Sequence, residues 1–132
     1  MLLALSGLST LETQAQEAGL SIELNRLDTE AEACQASLVM ENGTETTFKQ
    51  LVLDLVMFGE DGIIARRLAV DVAPLRAGRM SVKVFAVDGT ACESIGRVLL
   101  NDVLSCAGGE GPLAGCFELI DTRSRVSAEF LN

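Results

Sequence analysis

The strongest constraint in this chain is the period of one apolar run. Residues 48–58 read Phe-Lys-Gln-Leu-Val-Leu-Asp-Leu-Val-Met-Phe, with Leu51, Leu53, Leu55 and Met57 on one parity. A repeat of two places side chains on one face of an extended strand, whereas a helix would scatter them around its axis. Val52, Val56 and Phe58 make the second face partly apolar as well, so the strand is expected to be central in its sheet. Gly59-Glu60-Asp61-Gly62 follows as a hairpin loop. The chain then returns through residues 63–71, with Ile64, Leu68 and Val70 expected inward and Arg67 and Asp71 outward. Arg66 falls on the inward parity, which marks a sheet edge or a bend.

The same alternation recurs along the chain. Leu20, Ile22 and Leu24 alternate with Ser21, Glu23 and Asn25, and an acidic stretch, residues 27–33, reads as a connection. Cys34, Ala36, Leu38 and Met40 alternate next, closed by the turn dipeptide Asn42-Gly43. A turn at residues 74–78 contains Pro74 and Gly78, residues suited to a reversal. Met80, Val82, Val84 and Ala86 then alternate with Ser81 and Lys83, closed by Asp88-Gly89. Residues 95–104 fit a helical face in part, but their β-branched content favours a strand with a bulge near Asn101-Asp102. A glycine-rich loop at 108–112 precedes two final candidate strands, 117–120 and 125–130. Seven to eight short strands with regular turn signals predict a single all-β antiparallel sandwich or barrel. The five phenylalanines (Phe48, Phe58, Phe85, Phe117 and Phe130) are expected in the core. Leu53 and Val84 are both expected there too, each costing about 2–4 kcal/mol if truncated to Ala.

Composition removes whole classes of chemistry. The chain has no His, Trp or Tyr. Ser-His-Asp and Cys-His nucleophilic sites and histidine metal centres therefore cannot be built. Carboxylates are abundant, among them Asp54, Glu60, Asp61, Asp71, Asp88, Glu93 and Asp102, but sugar-stacking Trp and Tyr are missing from any glycosidase cleft. Glu60-Asp61-Gly62 is too short for an EF-hand loop and reads as a polar hairpin tip. Asn42-Gly43-Thr44 matches a glycosylation sequon but reads first as a turn. No enzyme activity, cofactor or metal is expected. The formal net charge of −9 and scattered basic residues argue against nucleic acid as a partner.

Residues 1–11 form an apolar run followed by Thr13-Gln14-Ala15, a small-x-small pattern. We expect residues 1–15 to be a signal peptide remnant or a short N-terminal helix, and residues 16–132 to be the β-sandwich domain. The run is too short to span a bilayer. Cys34, Cys92, Cys106 and Cys116 are an even set without any C-x-x-C spacing. That pattern suits disulfides in an oxidising compartment better than a redox pair or a zinc site.

Over roughly residues 20–130 the chain resembles an immunoglobulin-like or fibronectin type III-like sandwich. Cys34 and Cys92 are 58 positions apart, and Asp88-Gly-Thr-Ala-Cys92 is similar to the approach to the second cysteine of immunoglobulin domains. The pattern departs from true immunoglobulin domains, because no Trp follows the first cysteine and no Tyr precedes the second. The wider resemblance is to small exported, periplasmic proteins of Gram-negative bacteria. It implies an immunoglobulin-like β-sandwich, a periplasmic or secreted location, and disulfides pairing Cys34 with Cys92 and Cys106 with Cys116, one of three possible connectivities.

Two functions fit such a module. The first is a non-catalytic binding or adaptor domain that meets an envelope protein through a sheet edge near Pro74 or through the loop at residues 107–113. The second is a small-ligand carrier with a pocket between the sheets. A carrier needs an apolar cavity, whereas an adaptor needs a packed core and an exposed edge.

Overall fold

A computed structural model describes residues 19–132. The apolar run at residues 1–11 and the motif at 13–15 lie outside the described residues. The described chain is all-β. β1 (Leu20–Glu30) and β2 (Ala33–Asn42) form a hairpin, and β3 (Gln50–Phe58) and β4 (Ile64–Asp71) form another. β5 (Met80–Asp88) leads through a short 3-10 turn at Cys92–Ser94 to β6 (Arg97–Gly108). The chain ends with β7 (Gly111–Pro112), a 3-10 turn at Phe117–Leu119, β8 (Ile120–Ser124) and β9 (Glu129–Leu131).

Two sheets result. One has the order β5-β2-β1-β8; the other has β4-β3-β6-β7, with β9 also pairing β6. Both depart from the purely antiparallel arrangement of seven to eight strands expected from the sequence. Among the described residues there are nine strands, and β8 runs parallel to β1 and β9 parallel to β6, because the chain reaches each by crossing from the opposite sheet rather than through a hairpin. β3 sits between β4 and β6, the central position that its two-sided apolar pattern predicts. Leu20, Ile22, Leu24, Leu38 and Met40 of the first sheet and Leu51, Leu53, Leu55, Met57 and Leu100 of the second are all buried in one cluster. The alternation in β1, β2 and β3 thus turns directly into a core between two sheets.

Several local expectations change. Residues 27–30 are strand, and β1 pairs with β2 as far as Glu30 opposite Ala33. Charge there reports a hairpin with exposed side chains, not the end of pairing. Ile64 is exposed, because the β3–β4 register shifts between Met57 and Phe58 and flips its parity relative to Leu68 and Val70. Residues 117–119 form a 3-10 turn, and Ile120 starts the strand. Phe48 and Phe130 are buried, whereas Phe58, Phe85 and Phe117 are half-buried.

The largest correction concerns β5. Val84 is exposed, and Ser81, Lys83, Phe85 and Val87 take the inward side. Both parities of β5 carry apolar residues, so its pattern does not select a face. The register with β2 does: Asn42 N–H donates to the Arg79 carbonyl at 3.0 Å, and Gly89 N–H to the Glu32 carbonyl at 3.1 Å. A one-residue slip would reverse every side chain.

Candidate interaction surface

β5 closes one end of its sheet and has no second neighbour among the described residues. Its outward side chains Met80, Val82 and Val84 are 63%, 62% and 48% exposed. Single exposed apolar residues are ordinary, but consecutive outward positions on one strand make a stripe. Val39 of β2 lies opposite Val82 and widens the stripe by one strand. The inward side of β5 is correspondingly poor. Lys83 occupies one inward position, and the buried Ser81 hydroxyl has no hydrogen-bond partner among the described residues.

Beside the stripe, on the outer face of the same sheet, Ser21, Glu23, Val39, Glu41, Met80, Arg123 and Arg125 line an open groove of about 480 Å³. Arg125 Nε sits 3.1 Å from Glu23 Oε1, and Asn25 Nδ2 donates to the same oxygen at 2.9 Å. The Asn25 hydrogen bond, with Arg125 assisting, holds the Glu23 carboxyl below its ordinary range. The face therefore joins an apolar stripe to a charged floor, a combination suited to a protein surface.

The two contact sites expected from the sequence fare differently. The segment around Pro74 turns into the core: Val72 and Leu75 are buried, and Phe48 and Leu75 exchange backbone hydrogen bonds at 2.9 Å in both directions. It seals that end of the sandwich and offers no open edge. The loop at residues 107–113 is a tight β6–β7 hairpin, with Ala107 opposite Pro112. It stands beside a shallow surface depression bordered by Leu104 and Leu113, both exposed.

The four cysteines form two disulfides, Cys34–Cys92 and Cys106–Cys116, with Cα separations of 5.0 and 6.6 Å. The first ties β2 to the turn that follows β5 and so pins the end of the exposed strand. The second closes the loop that carries β7. Cys92 lies in a 3-10 turn before β6 rather than on a strand, which departs from the inter-sheet bridge of immunoglobulin domains.

Three of the carboxylates considered for catalysis, Asp54, Asp61 and Asp71, accept hydrogen bonds that hold the fold together. Asp54 is 3% exposed although it lies on the outer face of its sheet. Arg67 clamps it through two hydrogen bonds of 2.9 and 2.7 Å, and Asn101 Nδ2 donates at 2.9 Å. Arg67 and then Asn101 hold its pKa down at about 2. Asn101 reaches Asp54 where the β3–β6 register shifts, so the bulge expected near Asn101-Asp102 positions a ligand for a buried charge. Asp61 Oδ1 accepts the Ile63 N–H across the hairpin tip, and Asp71 Oδ1 accepts the N–H groups of Leu51 and Ala73. Asn42 of the sequon is buried: its Nδ2 donates to the carbonyls of Thr46 and Leu75, and its Oδ1 accepts from Thr44. It ties two loops together, which removes it from modification in the folded chain.

These features define a two-sheet, all-β domain stapled by two disulfides. In fold it is similar to the solved structure of IrmA from Escherichia coli. That likeness has a TM-score of 0.57 and covers 79% of this chain and 90% of that one, at 12% sequence identity. At that identity it is a likeness of fold alone. No family model and no curated protein matches the sequence. Among the described residues, no helix is long and apolar enough to cross a membrane.

Proposed function

We propose that this chain is an exported, non-catalytic binding module with an immunoglobulin-like sandwich, working in the periplasm or outside a Gram-negative cell. The exposed Met80–Val82–Val84 stripe carries the reading, because apolar side chains at consecutive outward positions gain stability only when another surface covers them. The two disulfides support an oxidising compartment. The strand orders β5-β2-β1 and β4-β3-β6 match the facing E-B-A and C′-C-F sets of immunoglobulin-like sandwiches, which supports the finer fold assignment. The fold likeness to a protein of Escherichia coli supports the cellular setting. The carrier alternative loses ground: Leu24, Leu38, Met40, Leu53 and Leu55 are fully buried between the sheets, and the grooves described above lie on the outside.

The test is site-specific photo-crosslinking in cells producing the full chain, with the reactive group at position 82 and a control at position 69 on β4. A discrete protein adduct from 82 and none from 69 is the expected result. No adduct from 82 would overturn the reading. Thiol alkylation of the same material should find no free cysteine; four alkylated thiols would overturn the assignment to an exported protein.

A further inference from the structure

We infer that a second copy of this chain occupies the open edge of β5, its β5 running antiparallel to the first about a two-fold axis at Val84. This rests on the binding-module reading for the exposed stripe and adds the identity of what pairs with the edge.

Backbone geometry carries the argument. Hydrogen-bonded and non-bonded pairs alternate along an antiparallel ladder. The Asn42–Arg79 and Glu32–Gly89 bonds assign the odd-numbered residues of 79–89 to β2. The N–H and C=O groups of Met80, Val82, Val84 and Ala86 therefore point away from β2, into the open edge. The Asp88 carbonyl points the same way, and Arg66 of β4 donates to it through both Nε and a terminal nitrogen. The edge is thus capped at one end and open along the four residues before it. Those residues also carry the exposed apolar side chains.

The sequence of β5 then selects both the partner and the register. Arg79 directly precedes the strand, with Arg76 in the turn before it, and Asp88 stands at its end. An antiparallel copy brings each basic end against the acidic end of the other, so the strand complements itself in charge. With the axis at Val84, Val82 lies opposite the partner's Ala86, and Lys83 lies opposite the partner's Phe85. Moving the axis to Lys83 would set two ammonium groups directly opposite each other, which is unfavourable. Moving it to Phe85 would leave Met80 outside the ladder. Axis placement at Val84 joins the two four-stranded sheets into one and brings the apolar stripes together into a single isologous band.

Sedimentation equilibrium of the purified, oxidised protein tests this without any other partner. A reversible dimer is expected. Val84→Pro should raise the dimer dissociation constant about tenfold or more, because it removes an edge N–H that β2 does not use. Val82→Glu should do the same by placing a charge in the apolar band, and Ala69→Glu on the β4 edge should leave dimerisation unchanged. Far-ultraviolet circular dichroism and thiol counts identify any variant that fails to fold, and Val82→Glu decides the matter if Val84→Pro does. A wild-type protein that stays monomeric at roughly millimolar concentration overturns the inference. So does a dimer that both β5 variants leave intact. Monomeric protein that still yields a foreign adduct from position 82 in cells would overturn self-pairing and leave the binding-module reading standing.

Discussion

β4 and β5 each close one end of a sheet, and they meet where Arg66 reaches the Asp88 carbonyl, yet they treat their free edges in opposite ways. β4 is guarded. Its register is broken by a bulge, Arg66 and Arg67 lie side by side on it, and Asp71 folds back onto backbone N–H groups at its end. Bulges and charges are the usual devices that keep an edge strand from pairing with another chain. β5 runs regularly for nine residues beside β2, without a bulge, and shows Met80, Val82 and Val84 to solvent. Its one charged side chain between the ends, Lys83, lies on the inward parity. Two edges of one domain thus carry opposite signals. A guarded edge ends a sheet; an unguarded apolar edge invites its continuation.

The largest effect should come from removing the Cys34–Cys92 bridge by paired substitution to Ala. Its 58-residue separation corresponds to about 4 kcal/mol of chain entropy, and native bridges in small domains usually contribute 2–5. If β5 is held by its anchor rather than by its weak inward face, hydrogen exchange should accelerate in the β2–β5 amides before the β3–β4 amides. Equal acceleration in both hairpins would remove the distinction. Leu53→Ala comes next: the side chain is fully buried beneath the β4 side of the sandwich and should cost about 3 kcal/mol in denaturant unfolding.

A third test concerns the guarded side alone. Arg67 and Asn101 lower the folded-state pKa of Asp54 to about 2, from an ordinary 3.8. A depressed folded pKa gives stabilisation that is present above the unfolded value and lost as pH falls through the folded one. Unfolding midpoints of the wild type should therefore fall between pH 3.8 and about 2 more steeply than those of Asp54→Asn. Parallel profiles would show that the clamp does not contribute. Ser81→Ala should be neutral or stabilising by up to about 1 kcal/mol, because the buried hydroxyl it removes has no partner among the described residues. A clear loss of stability would mean that Ser81 is bonded and that the inward face of β5 is better satisfied than described. The smallest effect is expected for Val84→Ala, under about 0.5 kcal/mol for the monomer, since an exposed side chain loses little on truncation. A loss as large as that of Leu53→Ala would put Val84 in the core and dissolve the contrast between the edges.

How far the fold could be read in advance depended on whether one parity of a strand was clearly the more apolar. In β1, β2 and β3 only one phase buries Leu20, Ile22 and Leu24, or Leu38 and Met40, or Leu51, Leu53 and Leu55, and that phase is the observed one. In β5 the choice between Met80-Val82-Val84 and Phe85-Val87 was nearly even, and the wrong phase hid the surface that now stands out. Pro74 drew attention as an edge residue because proline lacks an N–H, but the segment it belongs to is drawn inward by Val72 and Leu75. Asp54 looked like one carboxylate among many. Its role became visible only when Arg67, thirteen residues on, and Asn101, forty-seven residues on, were brought beside it.

Local side-chain order was enough to read the all-β class and the central place of β3, and composition alone leaves no histidine for a catalytic or metal site. These follow from side-chain type and from a period of two, both local properties of the chain. Tertiary structure alone decided which face of β5 meets solvent, how Asp54 is neutralised and which sheet edge stays open. Each depends on cross-strand register and on which strand lies next to which. Those are long-range choices, made by hydrogen bonds and a disulfide between residues far apart in the chain.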